Sequence, residues 1–281
     1  MSLRLCATTI LAAVVALSVT LSAQWRAYPD RDLPRTADGK VNLAAPAPRT
    51  PDGKPDFSGI WSNAWFYDGR VQPLPVSPPG EPPAATFGDV FANFKGDLPL
   101  QPWAAQLKAA RKEQNSKDNP DAHCLPMGLM QFHMHPQPRK VLQTRDVIAL
   151  LYEGNSGIRQ IFIDGRPLPD EDAQPWWYGY STGHWDGDTL VVETTRFRDG
   201  GWLDIYGSPL TDQAKMTERW RRLNYGTMQI DVTIDDPKAY TKPWSVRVHH
   251  RLALDGPKFD AELIEFICDE NNKAPQLMVG K

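Results

Sequence analysis

Cysteine is scarce in this chain of 281 residues: there are three, and the first, Cys6, lies inside an early apolar run. That placement argues against a lipid-anchored cysteine. Long hydrophobic runs are scarcer still. Residues 6–21 form one, and no later segment is apolar over the length that a membrane span needs. No basic block occurs and the formal net charge is −3, so nothing points to a nucleic-acid partner. The catalytic signatures of the common hydrolase, kinase and dehydrogenase classes are missing too: there is no Gly-x-Ser-x-Gly elbow, phosphate loop, dinucleotide-binding glycine pattern or zincin helix. Asp186-Gly-Asp188 lacks the oxygen-ligand spacing of a calcium loop and reads as a turn.

What is present begins with an address. A short basic start through Arg4, the apolar run, small Ser22 and Ala23 and then polar Gln24 have the layout of a secretory signal peptide over residues 1–23. The alternative is an uncleaved anchor. Cleavage predicts a periplasmic or secreted protein of about 258 residues with no membrane span in its mature part. Cys124 and Cys268 then remain. In an oxidising compartment, a pair so far apart reads as one structural disulfide. A free Cys124 nucleophile beside His123 is the other reading.

Residues 24–55 form a proline-rich extension with an internal echo: Arg35-Thr-Ala-Asp-Gly-Lys-Val-Asn-Leu43 returns as Arg49-Thr-Pro-Asp-Gly-Lys-Pro-Asp-Phe57. Two copies are too few for a solenoid, and they read as two similar surface turns before the first strand. A single β domain is expected over 56–281, with a loop and helix insertion at about 68–138. Within it, Pro102 opens a helix that runs to about Gln114.

From Arg139 onward, strands and tight turns alternate. Met228, Ile230, Val232 and Ile234 alternate with polar residues, as do Val246, Val248, His250 and Leu252, giving strands with one dry face. Asp164-Gly165 and Asp186-Gly187 suit tight turns, and Asp255-Gly256 leads into a last strand expected over 259–268. No helical crossover separates the strands. The expected fold is therefore mainly β: an antiparallel up-and-down meander of about nine or ten strands, closing into a barrel or strongly curved sheet.

Asp56-Phe-Ser-Gly-Ile-Trp61 resembles the Gly-x-Trp opening of lipocalin-type barrels. A wider set of segments resembles a large, mostly uncharacterised family of exported bacterial proteins. Among them are Pro55-Asp-Phe-Ser-Gly-Ile-Trp61, Cys124-Leu-Pro126, Asp164-Gly-Arg166, the run from Gly183 to Val192, Thr233-Ile-Asp-Asp-Pro237 and Cys268-Asp-Glu-Asn271. The resemblance implies export and a shared β fold, and it carries over no catalytic residue. Where relatives read Gly-His-Pro-His, this chain has Gly207-Ser-Pro-Leu210, so a site built on those two histidines is absent here.

The residues that bear chemistry are few. His133-Met-His135 would present both imidazoles to one divalent metal if the segment were extended; a proline-rich loop with two polar side chains is the alternative. No other cofactor is expected. His250 interrupts the apolar face of its strand and Glu265 that of the expected last strand. The two read as hairpin neighbours, either an acid–base pair or a satisfied structural pair. Glu153 and Glu193 also sit among apolar residues, with Arg159, Arg166 and Arg219 as candidate partners. Trp176, Trp177 and Tyr178, together with His184 and Trp185, form an aromatic patch suited to flat or apolar ligands, or to core packing. The leading expectation is an exported binding protein holding a small apolar or aromatic ligand in a barrel cavity. A periplasmic lyase, isomerase or hydrolase is the alternative.

Overall fold

Nine strands close into a barrel. They are β1 (Gly59–Asn63), β2 (Arg139–Gln143), β3 (Val147–Tyr152), β4 (Ile158–Phe162), β5 (Tyr180–Asp186), β6 (Thr189–Thr195), β7 (Lys215–Asn224), β8 (Thr227–Asp235) and β9 (Trp244–Leu252). The computed structural model describes residues 33–64, 66–67, 70–71, 73, 76–253, 262–270 and 273. The expected signal peptide and the Asp255-Gly256 turn lie outside them.

Each strand pairs with its sequence neighbour, and β1 closes the ring by pairing with both β2 and β9. Eight of these contacts are antiparallel, and β4–β5 is parallel, with Ile161 opposite Ser181. This corrects the expectation of a wholly antiparallel meander, and parity explains it. Directions cannot alternate around a ring with an odd number of strands, so one neighbouring pair must run the same way. Residues 163–179 make that return without a helix. The Asp164-Gly165 turn therefore lies in this crossover rather than in a hairpin. Asp186-Gly187 does serve β5–β6, with Gly187 at φ +60° in the two-residue loop.

The hairpin turns after β2, β5 and β7 define a lower rim; the opposite, upper rim is covered by the long insertion between β1 and β2. Phe57 seals the lower rim, stacked on Trp185 at 5.9 Å and edge-on to Trp220 at 5.8 Å. The internal echo is two copies of one turn. In each, an arginine NH1 donates to a glycine carbonyl four residues on, Arg35 to Gly39 and Arg49 to Gly53, both at 2.7 Å. Each threonine two before an aspartate donates its hydroxyl to that carboxylate. The second copy is fixed to the barrel by Arg49, which donates to both carboxylate oxygens of Asp188.

At the upper rim, helix α1 (Pro102–Glu113) begins at the predicted proline. A second, short helix α2 (Leu129–Met134) is buried along its whole length. It plugs the barrel. Leu129, Met130 and Met134 join the core, and Phe132 stacks on Tyr152 at 4.2 Å. Gly128 lets the plug start against backbone, since a Cβ there would lie 1.8 Å from the Trp202 carbonyl oxygen. Gln131 donates to that same oxygen at 3.1 Å. Among the described residues no helix is long and apolar enough to cross a membrane.

Residues 262–268, expected to complete a final strand, carry no strand. They run as a strap fastened by the disulfide between Cys124 and Cys268, whose Cα atoms are 5.5 Å apart. The physical reason is closure: a ring whose every strand already has two neighbours leaves no free edge for a tenth.

Candidate functional site

Pro136 determines where the two histidines of the plug point. A residue before proline is driven out of the helical region, and His135 is accordingly extended at ψ 138° while His133 still lies in α2. The imidazoles therefore diverge, which corrects the shared metal site expected of an extended segment. His133 enters the barrel, and His135 faces the upper rim. Among the described residues no group of three or more His, Cys, Asp or Glu side chains is placed to hold a metal ion.

Inside the barrel, His133 Nε2 donates to Glu218 Oε1 at 2.7 Å. Glu218 is fully buried on β7 and also accepts from Trp220 Nε1 at 3.2 Å and from both terminal nitrogens of Arg159. Arg159 reaches on to the hydroxyls of Ser181 and Thr194, at 3.1 Å each. Burial alone would raise the Glu218 carboxyl. The Arg159 guanidinium and then His133 outweigh it and hold that carboxyl well below the usual range.

A second cation, Arg139, has no carboxylate within 4 Å among the described residues. It donates to the carbonyls of His133 at 2.9 Å and His135 at 2.8 Å, capping the C-terminal end of the plug. His250 Nε2 sits within 2.6 Å of Arg139 NH1 and 2.7 Å of the His133 carbonyl. Burial and then Arg139 push the His250 imidazole well below its ordinary range, so it is neutral. Glu265 is exposed on the strap, so the expected His250–Glu265 pair does not form. The reason is again that the strap is not a strand of the sheet.

Other expected partnerships also resolve differently. Glu193 pairs with Lys215, Arg166 with Asp164 and Arg219 with Asp186. Glu153 accepts from Gln137 Nε2 at 3.2 Å and from the backbone N–H of Ile264 at 3.0 Å. The aromatic patch is dispersed. Tyr178 packs edge-on to Phe132, Trp177 lies under the Arg198 guanidinium, and Trp176 lies beside Tyr180. Exposed His184 and the stacked Trp185 are at the other end of β5. A period-two strand separates these groups by its full length, which sequence proximity hides.

The accessible chemistry lies at the upper rim. A cleft of about 360 Å³ opens between the end of α1, the residue after the plug and the strap. Its apolar walls are Phe87, Ile205 and Phe266, and its floor includes Cys268 of the disulfide. Two titratable groups border it, His135 and Asp121, alongside the uncharged Asn115, Ser116 and Asn119. Phe87 stands edge-on to the His135 ring at 5.0 Å, and His135 Nδ1 accepts from the Gln137 N–H at 3.2 Å. That bond fixes the neutral tautomer with its hydrogen on Nε2. Burial and then Arg139 lower the His135 pKa to about 4. Asp121 accepts from Asn155 Nδ2 at 2.5 Å, and burial outweighs that bond in raising its carboxyl. Sequence reasoning reached His135 through the wrong chemistry and missed Asp121, Phe87 and Phe266, which only the tertiary fold assembles.

A pH dependence follows. His135 is neutral when folded but titrates near 6.5 when unfolded, so its stabilising contribution is complete above that pH and is lost as pH falls toward 4. Asp121 and Asp204, raised by burial, act in the opposite sense. The expected result is therefore a difference: between pH 6.5 and 5 the parent protein loses roughly 1.5 kcal/mol more than a His135→Gln variant. Urea unfolding of both at the two pH values measures it, and parallel losses would contradict it.

Fold and site together define a plugged nine-stranded β-barrel with a small cleft at its covered rim. No family model matches the chain, and no curated protein matches it.

Proposed function

We propose that this chain is an exported binding protein that holds a small, largely apolar or aromatic ligand at the mouth of its barrel. The helical plug and the buried ionic network fill the space beneath the upper rim, so the ligand belongs above them. The carrying observation is the cleft itself: about 360 Å³, walled by phenylalanine and isoleucine, with an uncharged imidazole at His135 and the neutral polar side chains of Asn115, Ser116 and Asn119 on its lining. A preferred ligand offers a flat or aliphatic body and one hydrogen-bond acceptor. The early apolar run and the distant cysteine pair support export.

Two measurements test the reading. Native mass spectrometry of protein isolated from its producing cell is expected to show a retained small molecule. Titration with the uncharged fluorophore N-phenylnaphthylamine is expected to saturate, with affinity about tenfold weaker in Phe266→Ala, which removes one wall. Bare protein by mass together with no saturable fluorescence would overturn the proposal.

A further inference from the structure

The inward positions of α1 are Ala104, Leu107, Lys108 and Arg111, a helical stripe in which two of four residues are cations. The two are treated differently by the fold. Lys108 Nζ has Asp89 at 2.6 Å and Asp204 at 3.8 Å. Arg111, one turn on, has no carboxylate within 4 Å among the described residues. Its guanidinium lies over the Trp202 ring at 4.3 Å, and NH1 donates to the Gly207 carbonyl at 2.9 Å. Nε and NH2 make no further hydrogen bond with the described residues. A half-buried cation with donors to spare is a receptor without an anion.

Arg111 lines a second cleft, of about 340 Å³, which shares no residue with the cleft at His135. Trp103 and Leu107 form the helix wall, and Pro209 and Leu210 face them. Trp103 is half exposed yet fixed, because its Nε1 donates to the Lys238 carbonyl at 2.9 Å. Lys238 also borders the cleft, but its ammonium has Asp212 at 3.2 Å and Asp199 at 3.8 Å. Arg111 is therefore the one charge at the cleft without an ion pair inside 4 Å among the described residues; Asp118 and Asp204 act on it only from farther away.

We propose that this cleft is a separate binding site for a small aromatic or branched aliphatic monocarboxylate, with Arg111 receiving the carboxylate and Trp103 and Leu107 the apolar body. The fork of Nε and NH2 matches two carboxylate oxygens. The Asp199 carboxylate at the rim, only loosely paired with Lys238 at 3.8 Å, disfavours dianions such as phosphate more than a monoanion by like-charge repulsion. An uncharged amide of the same shape keeps the apolar contacts and loses the ionic ones, so it separates the two contributions.

Calorimetric titration of the full mature chain with phenylacetate and with phenylacetamide tests the site. Phenylacetate is expected to bind at least about tenfold more tightly than the amide, as the loss of charge-assisted hydrogen bonds requires. Arg111→Gln is expected to erase that preference, and Arg111→Lys to restore part of it. Trp103→Ala, at a half-exposed position, is expected to weaken both probes. Equal affinity for acid and amide, an unaltered preference in Arg111→Gln, or no heat from phenylacetate would each overturn the assignment. Should Arg111→Gln fail to fold, the acid–amide comparison and Trp103→Ala still decide it.

Discussion

Replacing Glu218 by alanine is expected to destabilise the protein by about 3–5 kcal/mol, the cost of stranding a buried opposite charge. The Arg159 guanidinium is almost fully buried and has Glu218 as its carboxylate. Its remaining bonds, to Ser181 and Thr194, are to neutral hydroxyls. Two further donors, His133 Nε2 and Trp220 Nε1, would lose their acceptor together. Glu218→Gln preserves an acceptor but not the charge, and falls between the parent and alanine. For a domain of this size the alanine loss lowers the melting temperature by about 6–20 °C. The double variant Arg159→Met with Glu218→Met is expected to lose less than the two single changes added together, because it leaves no lone charge. Thermal and urea unfolding of the four proteins measures this coupling. A loss below about 1 kcal/mol in Glu218→Ala would show that water reaches the network. The pH signature is distinct from that of His135: with its carboxyl held low, Glu218 contributes fully above the ordinary carboxylate range and is lost only in stronger acid.

How much of this was legible beforehand depends on which physical signal each feature leaves. The period-two alternation of β8 and β9 declares a barrel wall, and Pro102 declares the start of α1. Glu218 was legible in principle. It shares its face with Met216 and Trp220, opposite Lys215, Thr217 and Arg219, so it breaks an apolar stripe as visibly as His250 does. Arg159 likewise shares the parity of Ile161. Pro136 was the available clue that His133 and His135 part company, because it ends a helix rather than continuing a strand. The mouth cleft was not legible, since Phe87, Asp121, His135 and Phe266 come from four separate segments. Nor was the parallel β4–β5 contact: it is forced by the number of strands in a closed ring, a property of the whole sheet that no local pattern carries. The strap deceived for the converse reason. Leu263-Ile-Glu-Phe-Ile267 has strand composition, but pairing requires an open edge as well as β propensity.

Removing the disulfide by Cys124→Ala with Cys268→Ala is expected to cost about 2–5 kcal/mol. The direction follows from what the bridge encloses. Its cysteines are 144 residues apart, and the loop between them contains the plug and every barrel strand from β2 to β9. Opening it enlarges the unfolded ensemble even if the folded barrel is untouched. In the folded state the same bond holds the strap. Three weaker fastenings accompany it: Lys140 with Glu262 at 2.7 Å, Ile264 N–H to Glu153 at 3.0 Å and Ser156 Oγ to the Phe266 carbonyl at 3.2 Å. The first of these is solvent-exposed and screened, worth about 1 kcal/mol or less. Loss of the bridge should therefore have two separable readouts. The urea midpoint falls, and hydrogen exchange quickens at residues 262–270 ahead of the barrel strands. Because Phe266 and Cys268 form one side of the mouth cleft, the reduced protein should also bind N-phenylnaphthylamine more weakly, while phenylacetate at Arg111 is unaffected. An unchanged midpoint in the double alanine variant would mean that the unfolded chain stays compact without the crosslink.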